Sequence, residues 1–178
     1  MSVVKCTTDP AHTRIGFRAK HMMFTDIYGK FTKYEMSIEF ADEHFESGKF
    51  FFKADVASIS TSEEKRDAHL RHSDFFDVEK YPYLTFSSTA IKKISDDRYI
   101  VTGDLTIKDV TQSIDLDVEY IGWRLDPWNN ELAAAKLTGK INRKDFGMLW
   151  NAESETGGLF VSDEVWLEVQ VVIKKIDA

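Results

Sequence analysis

Apolar and polar residues alternate at a period of two along nearly the whole chain. Tyr99, Val101, Gly103, Leu105 and Ile107 share one parity, and Ile114, Leu116, Val118 and Tyr120 share another. Successive side chains of a β-strand point to opposite faces, so this pattern writes strands with one apolar face and no long helix. Ile15, Phe17 and Ala19 alternate with Arg14, Gly16 and Arg18, and Phe31 through Phe40 reads as one long strand with Met36, Ile38 and Phe40 on one side. Phe50, Phe52, Ala54 and Val56 oppose Phe51, Lys53, Asp55 and Ala57. Leu137, Gly139 and Ile141 follow later, and Val165, Leu167, Val169, Val171 and Ile173 close the chain.

About eight strands result, antiparallel by hairpin logic, with Lys108-Asp109 as a two-residue turn between two of them. A sandwich and a closed barrel both fit that number. Aromatic residues make up 13% of the chain and include 13 phenylalanines, which tilts the reading toward a barrel hollow enough to hold a small ligand. At 178 residues the expectation is a single domain spanning 1–178. By parity, Phe17, Phe31, Phe52, Phe86, Leu105 and Ile107 point inward.

Other features narrow the function. The net charge of −7, with no basic stripe, argues against nucleic acid. Cys6 is the one cysteine, so neither an intrachain disulfide nor a thiolate metal site is expected. No run of about 18 apolar residues suits a membrane-spanning helix. "MSVVKCTTDPAH" shows no signal peptide, which favours a cytoplasmic protein, although a trimmed exported chain would read the same.

Two segments depart from the strand pattern. Thr61 and Glu64 have capping-box spacing, which predicts a short helix over 61–72 with an Asp67–Arg71 pair on its surface. "KHMMF" (20–24) suggests a shorter helical turn, and "GWRLDPWNNE" (122–131) reads as the longest irregular connection.

The helix carries "RDAHLRHSDFFD" (66–77), the densest polar cluster in the chain. His69 and His72 stand at i,i+3 and, with Asp74 or His21, could share a metal, but zinc-protease spacing is missing and no metal is expected. Asp67, Asp74 and Asp77 read better as caps and salt bridges than as general acids or bases. There is no G-x-S-x-G elbow, phosphate loop or dinucleotide fingerprint, so neither a catalytic residue nor a cofactor is expected. Arg66 and His69 share a helical face beside Leu70. Either that face meets a phosphate or carboxylate head group at the mouth of an apolar tunnel, or Arg66 locks the helix to the rim by pairing with an acid.

The order and spacing of several motifs resemble those of the YceI-like family, lipocalin-fold proteins associated with polyisoprenoid binding. They run from "DPAHTRIGFRAKHM" (9–22) through "GKF" (29–31), "SISTSEEKRDAHLRHSDFFDVEKYPYLTF" (58–86) and "GDLTIKDVT" (103–111) to "DPWNN" (126–130) and "INRKDFGM" (141–148). Arg66, Asp67, His69, Leu70, Asp74, Phe75 and Phe76 match one family pattern, and Asn142, Arg143, Asp145, Phe146 and Gly147 match another. Three departures stand out: Asp109 where relatives often carry glycine, His72 where they carry a small residue, and no visible signal peptide where many relatives are exported.

The resemblance implies an all-β, eight-stranded antiparallel lipocalin-like barrel, slightly open, with a short helix against it. Its tunnel would hold a long isoprenoid chain, such as a polyprenyl phosphate or an isoprenoid quinone, in a carrier or sequestering role without catalysis. The expected ligand contacts are the six inward residues above, with His21, Phe24, Arg66, His69, Leu70, Phe75, Phe76 and Phe146 around the mouth. Two other readings stay open. One is an enzyme acting on such a lipid, with His21, His69 or Asp145 handling protons; the other is a filled barrel serving as an interaction module. A homodimer is compatible with the lipid-binding reading.

Overall fold

The computed structural model describes residues 3–151 and 160–176. Among them, eleven strands form one sheet: β1 (Val4–Thr8), β2 (Arg14–His21), β3 (Thr25–Phe31), β4 (Tyr34–Phe40), β5 (Gly48–Asp55), β6 (Ile59–Ser60), β7 (Tyr83–Lys93), β8 (Arg98–Ile107), β9 (Val110–Leu125), β10 (Glu131–Asn142) and β11 (Glu164–Lys175). Every strand pairing is antiparallel.

The ladder partners reduce these eleven pieces to eight barrel strands. β1 and β2 lie end to end along one edge of β11, which meets Cys6–Thr8 near its C-terminus and Arg14–Arg18 nearer its start. β3 and β4 run back beside them, and β6 and β5 continue the same way on the far side. Pairing of β1 and β2 with β11 joins the first strand to the last and closes the sheet. The structure is therefore a closed eight-stranded meander, which decides between the sandwich and the barrel.

Three strands are broken by local chemistry. Pro10 has no N–H for the ladder, and Asp9 accepts from the Ala11 amide at 3.0 Å, making a 3-10 turn between β1 and β2. Ser58 joins two other breaks. Its hydroxyl accepts from the amides of Thr32 (3.2 Å) and Lys33 (3.0 Å) and donates to the Asp55 carbonyl at 2.6 Å. One side chain thus satisfies the kink between β3 and β4 and the turn between β5 and β6. Phe31 to Phe40 is accordingly two strands and not the single one the parity suggested.

Inward packing follows the parity. Tyr99, Val101, Gly103, Leu105 and Ile107 are all buried while their neighbours on β8 are less so. Glycines opposite rings leave room for them. A Cβ on Gly103 would lie 2.3 Å from the Phe86 ring, and one on Gly29 would lie 2.2 Å from the Phe17 ring.

The helix α1 (Glu64–Arg71) forms where expected, but its cap differs. Glu63, not Thr61, accepts from the amides of Lys65 (3.2 Å) and Arg66 (2.6 Å). Thr61 is instead held by Asp67, whose Oδ1 accepts its amide at 2.8 Å and its hydroxyl at 2.5 Å. The surface pair of Asp67 with Arg71 does not form, because Asp67 is buried against Thr61 and Arg71 reaches the Ala57 and Ile59 carbonyls.

Other turns also differ from expectation. Residues 22–24 are not helical; they form the β2–β3 hairpin turn, with Met22 and Met23 both left-handed (φ 53° and 58°). In the β8–β9 turn the left-handed residue is Lys108 (φ 59°), so Asp109 needs no special backbone tolerance. β9 and β10 extend into 122–131 and leave only 126–130 irregular, so the connection over 72–82 is longer.

Candidate functional site

The barrel encloses an apolar cavity of about 270 Å³, near the lower end of the ~300–1,000 Å³ typical of ligand pockets. β8 contributes Val101, Leu105 and Ile107, β9 contributes Ile114, Leu116, Val118 and Tyr120, and β11 contributes alternate residues from Val165 to Ile173. From Tyr99 to Ile107 the wall runs eight strand steps, roughly 26 Å at about 3.3 Å per residue.

Aromatic side chains close the Tyr99 end. Phe45, on a short 3-10 turn, lies 4.5 Å from the Tyr99 ring centroid, 4.6 Å from Tyr120 and 5.3 Å from Phe50. Burial pushes the Tyr120 phenol up to about 12, with smaller contributions from Cys6 and Tyr99. The Cys6 thiol is raised to about 11 by burial, opposed by Lys175. Both stay neutral at physiological pH.

The other end is closed by α1 and the segments on either side of it. Asp67 is buried and grips Thr61, while Arg66 donates from Nε to the Thr61 hydroxyl (2.7 Å) and from Nη2 to its carbonyl (2.8 Å). Arg66 thus holds the helix to the end of β6 through neutral oxygens; the acid partner expected of it is replaced by Thr61. His69 Nε2 meets Asp74 at 2.9 Å, and its ring stands edge-on to Phe75 and Trp150, 5.1 and 4.6 Å away. This clasp seats Leu70, Phe75 and Phe76 in the cavity wall.

Arg143 was matched in the sequence only as part of a motif. It enters a 3-10 turn, Arg143–Phe146, that Asn142 caps by accepting the Lys144 amide and that ends on left-handed Gly147 (φ 78°). Its residue is 3% exposed and lines the cavity. Nε donates to the Ser162 carbonyl (3.0 Å), and Nη1 donates to the carbonyls of Met148 (2.7 Å) and Trp150 (2.8 Å). Nη2 lies 3.6 Å from Asp163 Oδ1, close enough for Coulomb attraction and too far for a hydrogen bond. Burial lowers the affinity of Arg143 for its proton, and the Asp163 charge partly restores it. The signal for this residue was in the sequence, because Leu137, Gly139, Ile141 and Arg143 share one parity.

The expected contacts separate into two sets. Phe17, Phe31, Phe52, Phe86, Leu105, Ile107, Leu70, Phe75 and Phe76 line the cavity. His21, Phe24, Arg66, His69 and Phe146 do not. Phe24 is 85% exposed at the tip of the β2–β3 turn, because Met22 and Met23 turn the chain away from the barrel before it. His21 ends β2 opposite Val161, Arg66 and His69 are engaged within the clasp, and Phe146 is buried in the core behind the wall.

The three residues considered for proton handling, His21, His69 and Asp145, lie on separate elements, and none lines the cavity. Among the described residues no three His, Cys, Asp or Glu side chains converge as metal ligands.

A family model described as a YceI-like domain matches residues 7–173. The UPF0312 protein of Photorhabdus laumondii is 39% identical over 135 residues, covering 76% of this chain and 70% of that protein. The crystal structure of BcnA from Burkholderia cenocepacia is similar at a TM-score of 0.80 and 25% identity, covering 93% of this chain and 99% of that one. A polyisoprenoid binding domain from Saccharophagus degradans shares the fold at a TM-score of 0.66 and 14% identity, covering 96% and 98% of the two chains.

Proposed function

The chain belongs to the YceI-like family, and from that premise we propose that it binds the tail of a long isoprenoid lipid inside the barrel. The reading is a carrier or sequestering protein for a polyprenyl phosphate or an isoprenoid quinone, without catalysis. The observation that carries it is the wall itself: an unbroken apolar lining from Tyr120 to Ile107, with a single charged side chain along it among the described residues. The Saccharophagus degradans barrel, described as polyisoprenoid binding, supports the ligand class by likeness of fold.

The energetics favour a long chain. Each buried methylene contributes about 0.8 kcal/mol, so a five-carbon isoprene unit contributes about 4 kcal/mol. Association costs about 4–15 kcal/mol, so one unit is insufficient and several are needed for stable binding. A titration of delipidated protein with geraniol, farnesol and geranylgeraniol tests this. Affinity should rise at least tenfold with each added unit. Equal, weak affinity for all three would overturn the reading.

A further inference from the structure

Among the described residues the wall is apolar except for the Tyr120 hydroxyl at one end and a single charge, Arg143, and that charge needs a physical account. A guanidinium offers five N–H donors. Three serve the carbonyls of Ser162, Met148 and Trp150, and the two on Nη2 meet no acceptor within hydrogen-bond distance among the described residues. A buried donor left without an acceptor is costly, and more so on a charged group. Asp163 Oδ1, itself buried without a hydrogen bond, attracts Nη2 from 3.6 Å but does not accept from it, so one nitrogen of a cavity-lining guanidinium keeps its donors unsatisfied.

We propose that Arg143 Nη2 is the polar anchor of the cavity and takes an uncharged oxygen, a carbonyl or hydroxyl, of the lipid's head. This rests on the isoprenoid reading above and adds an orientation to it. The head lies inward at the clasp, beside Phe75, whose ring centroid is 6.0 Å from the guanidinium carbon. The tail then runs toward Phe45 and Tyr120.

The supply of donors selects the neutral head. The Arg143 guanidinium already faces Asp163, and Lys144 shares that carboxylate at 3.4 Å. A phosphate has several acceptor oxygens, and it would lie close to the Asp163 carboxylate in a wall whose described side chains offer Nη2 and, at the far end, the Tyr120 hydroxyl. A single carbonyl or hydroxyl oxygen needs only what Nη2 has.

The test uses three probes with one C20 tail: geranylgeraniol, its monophosphate, and the saturated hydrocarbon phytane. Delipidated wild-type protein should bind geranylgeraniol about tenfold more tightly than phytane, and the monophosphate no more tightly than the alcohol. In Arg143→Met the advantage of the alcohol should vanish while phytane affinity holds. Equal wild-type affinity for alcohol and phytane, a persistent alcohol advantage in the variant, or a preference for the monophosphate would each overturn the anchor. If no probe binds, the isoprenoid reading fails first.

Should Arg143→Met not fold, an isoprenoid ketone, farnesylacetone, bound to wild type supplies the readout. Its infrared carbonyl stretch should fall below its position in hexane. A stretch at the hexane position would refute the anchor.

Discussion

Replacing Asp67 by alanine should destabilise the protein by about 3 kcal/mol, and the figure follows from the clasp. Asp67 Oδ1 accepts from the Thr61 amide and hydroxyl at 2.8 and 2.5 Å, and both residues are 5% exposed. Hydrogen bonds to a charged group contribute about 1.5–3 kcal/mol each, and an orphaned buried amide costs about 1–3 kcal/mol. Removing a buried carboxylate returns part of this, because its own desolvation is relieved. The net is about 3 kcal/mol, which for a chain of 178 residues lowers the melting temperature by roughly 6–12 °C. Circular dichroism melts should show that shift, while Glu64→Gln, at a side chain 84% exposed, should move the midpoint by no more than a degree or so. Coupling to Thr61 gives a second readout: Asp67→Ala combined with Thr61→Val should cost clearly less than the two single changes added together. An Asp67→Ala midpoint indistinguishable from wild type would show that the clasp does not hold the barrel end and would refute the reasoning.

Arg66→Ala should cost about 1–2 kcal/mol by urea denaturation, below the ~3 kcal/mol of a broken buried ion pair, because its partners are neutral oxygens of Thr61. Ser58→Ala should cost about 1–2 kcal/mol in the same assay, since the amides of Thr32 and Lys33 both lose their acceptor. Cys6 should resist thiol reagents at pH 8 until the protein unfolds, since burial raises it to about 11. For the same reason stability should fall as pH rises from about 9 toward 11, where the unfolded thiol ionises and the folded one keeps its proton. Phe24→Ser should leave the melting temperature unchanged, since the ring is 85% exposed.

Parity carried most of what was legible. Period-two alternation placed Phe17, Phe86, Leu105 and Ile107 on the inner face, because a register error would have reversed every side chain at once. It could not show the three strand breaks. The kinks at Thr32-Lys33 and at Val56–Ser58 share one hydroxyl, Ser58, about 25 residues from the first of them, and no local pattern encodes that meeting. Thr61 looked like a helix cap from its spacing to Glu64; Asp67, six residues along, competes for it and wins because it is buried there. Loop aromatics carry no period, so Phe75 and Phe76 fell inside while Phe24 fell outside. Arg143 was legible only as part of the 142–147 motif, because a charged residue just past the end of β10 gives no sign by itself that it lines an apolar cavity.

Native mass spectrometry of the protein purified from its source cells without detergent tests the central claim most directly. The account predicts a second species, heavier by one lipid whose extracted tail fragments in isoprene repeats. That added mass should persist in the Phe24→Ser variant and be lost when the wall is filled by Val118→Trp. Recovery of the bare chain alone, with no uptake of geranylgeraniol when it is supplied, would contradict it.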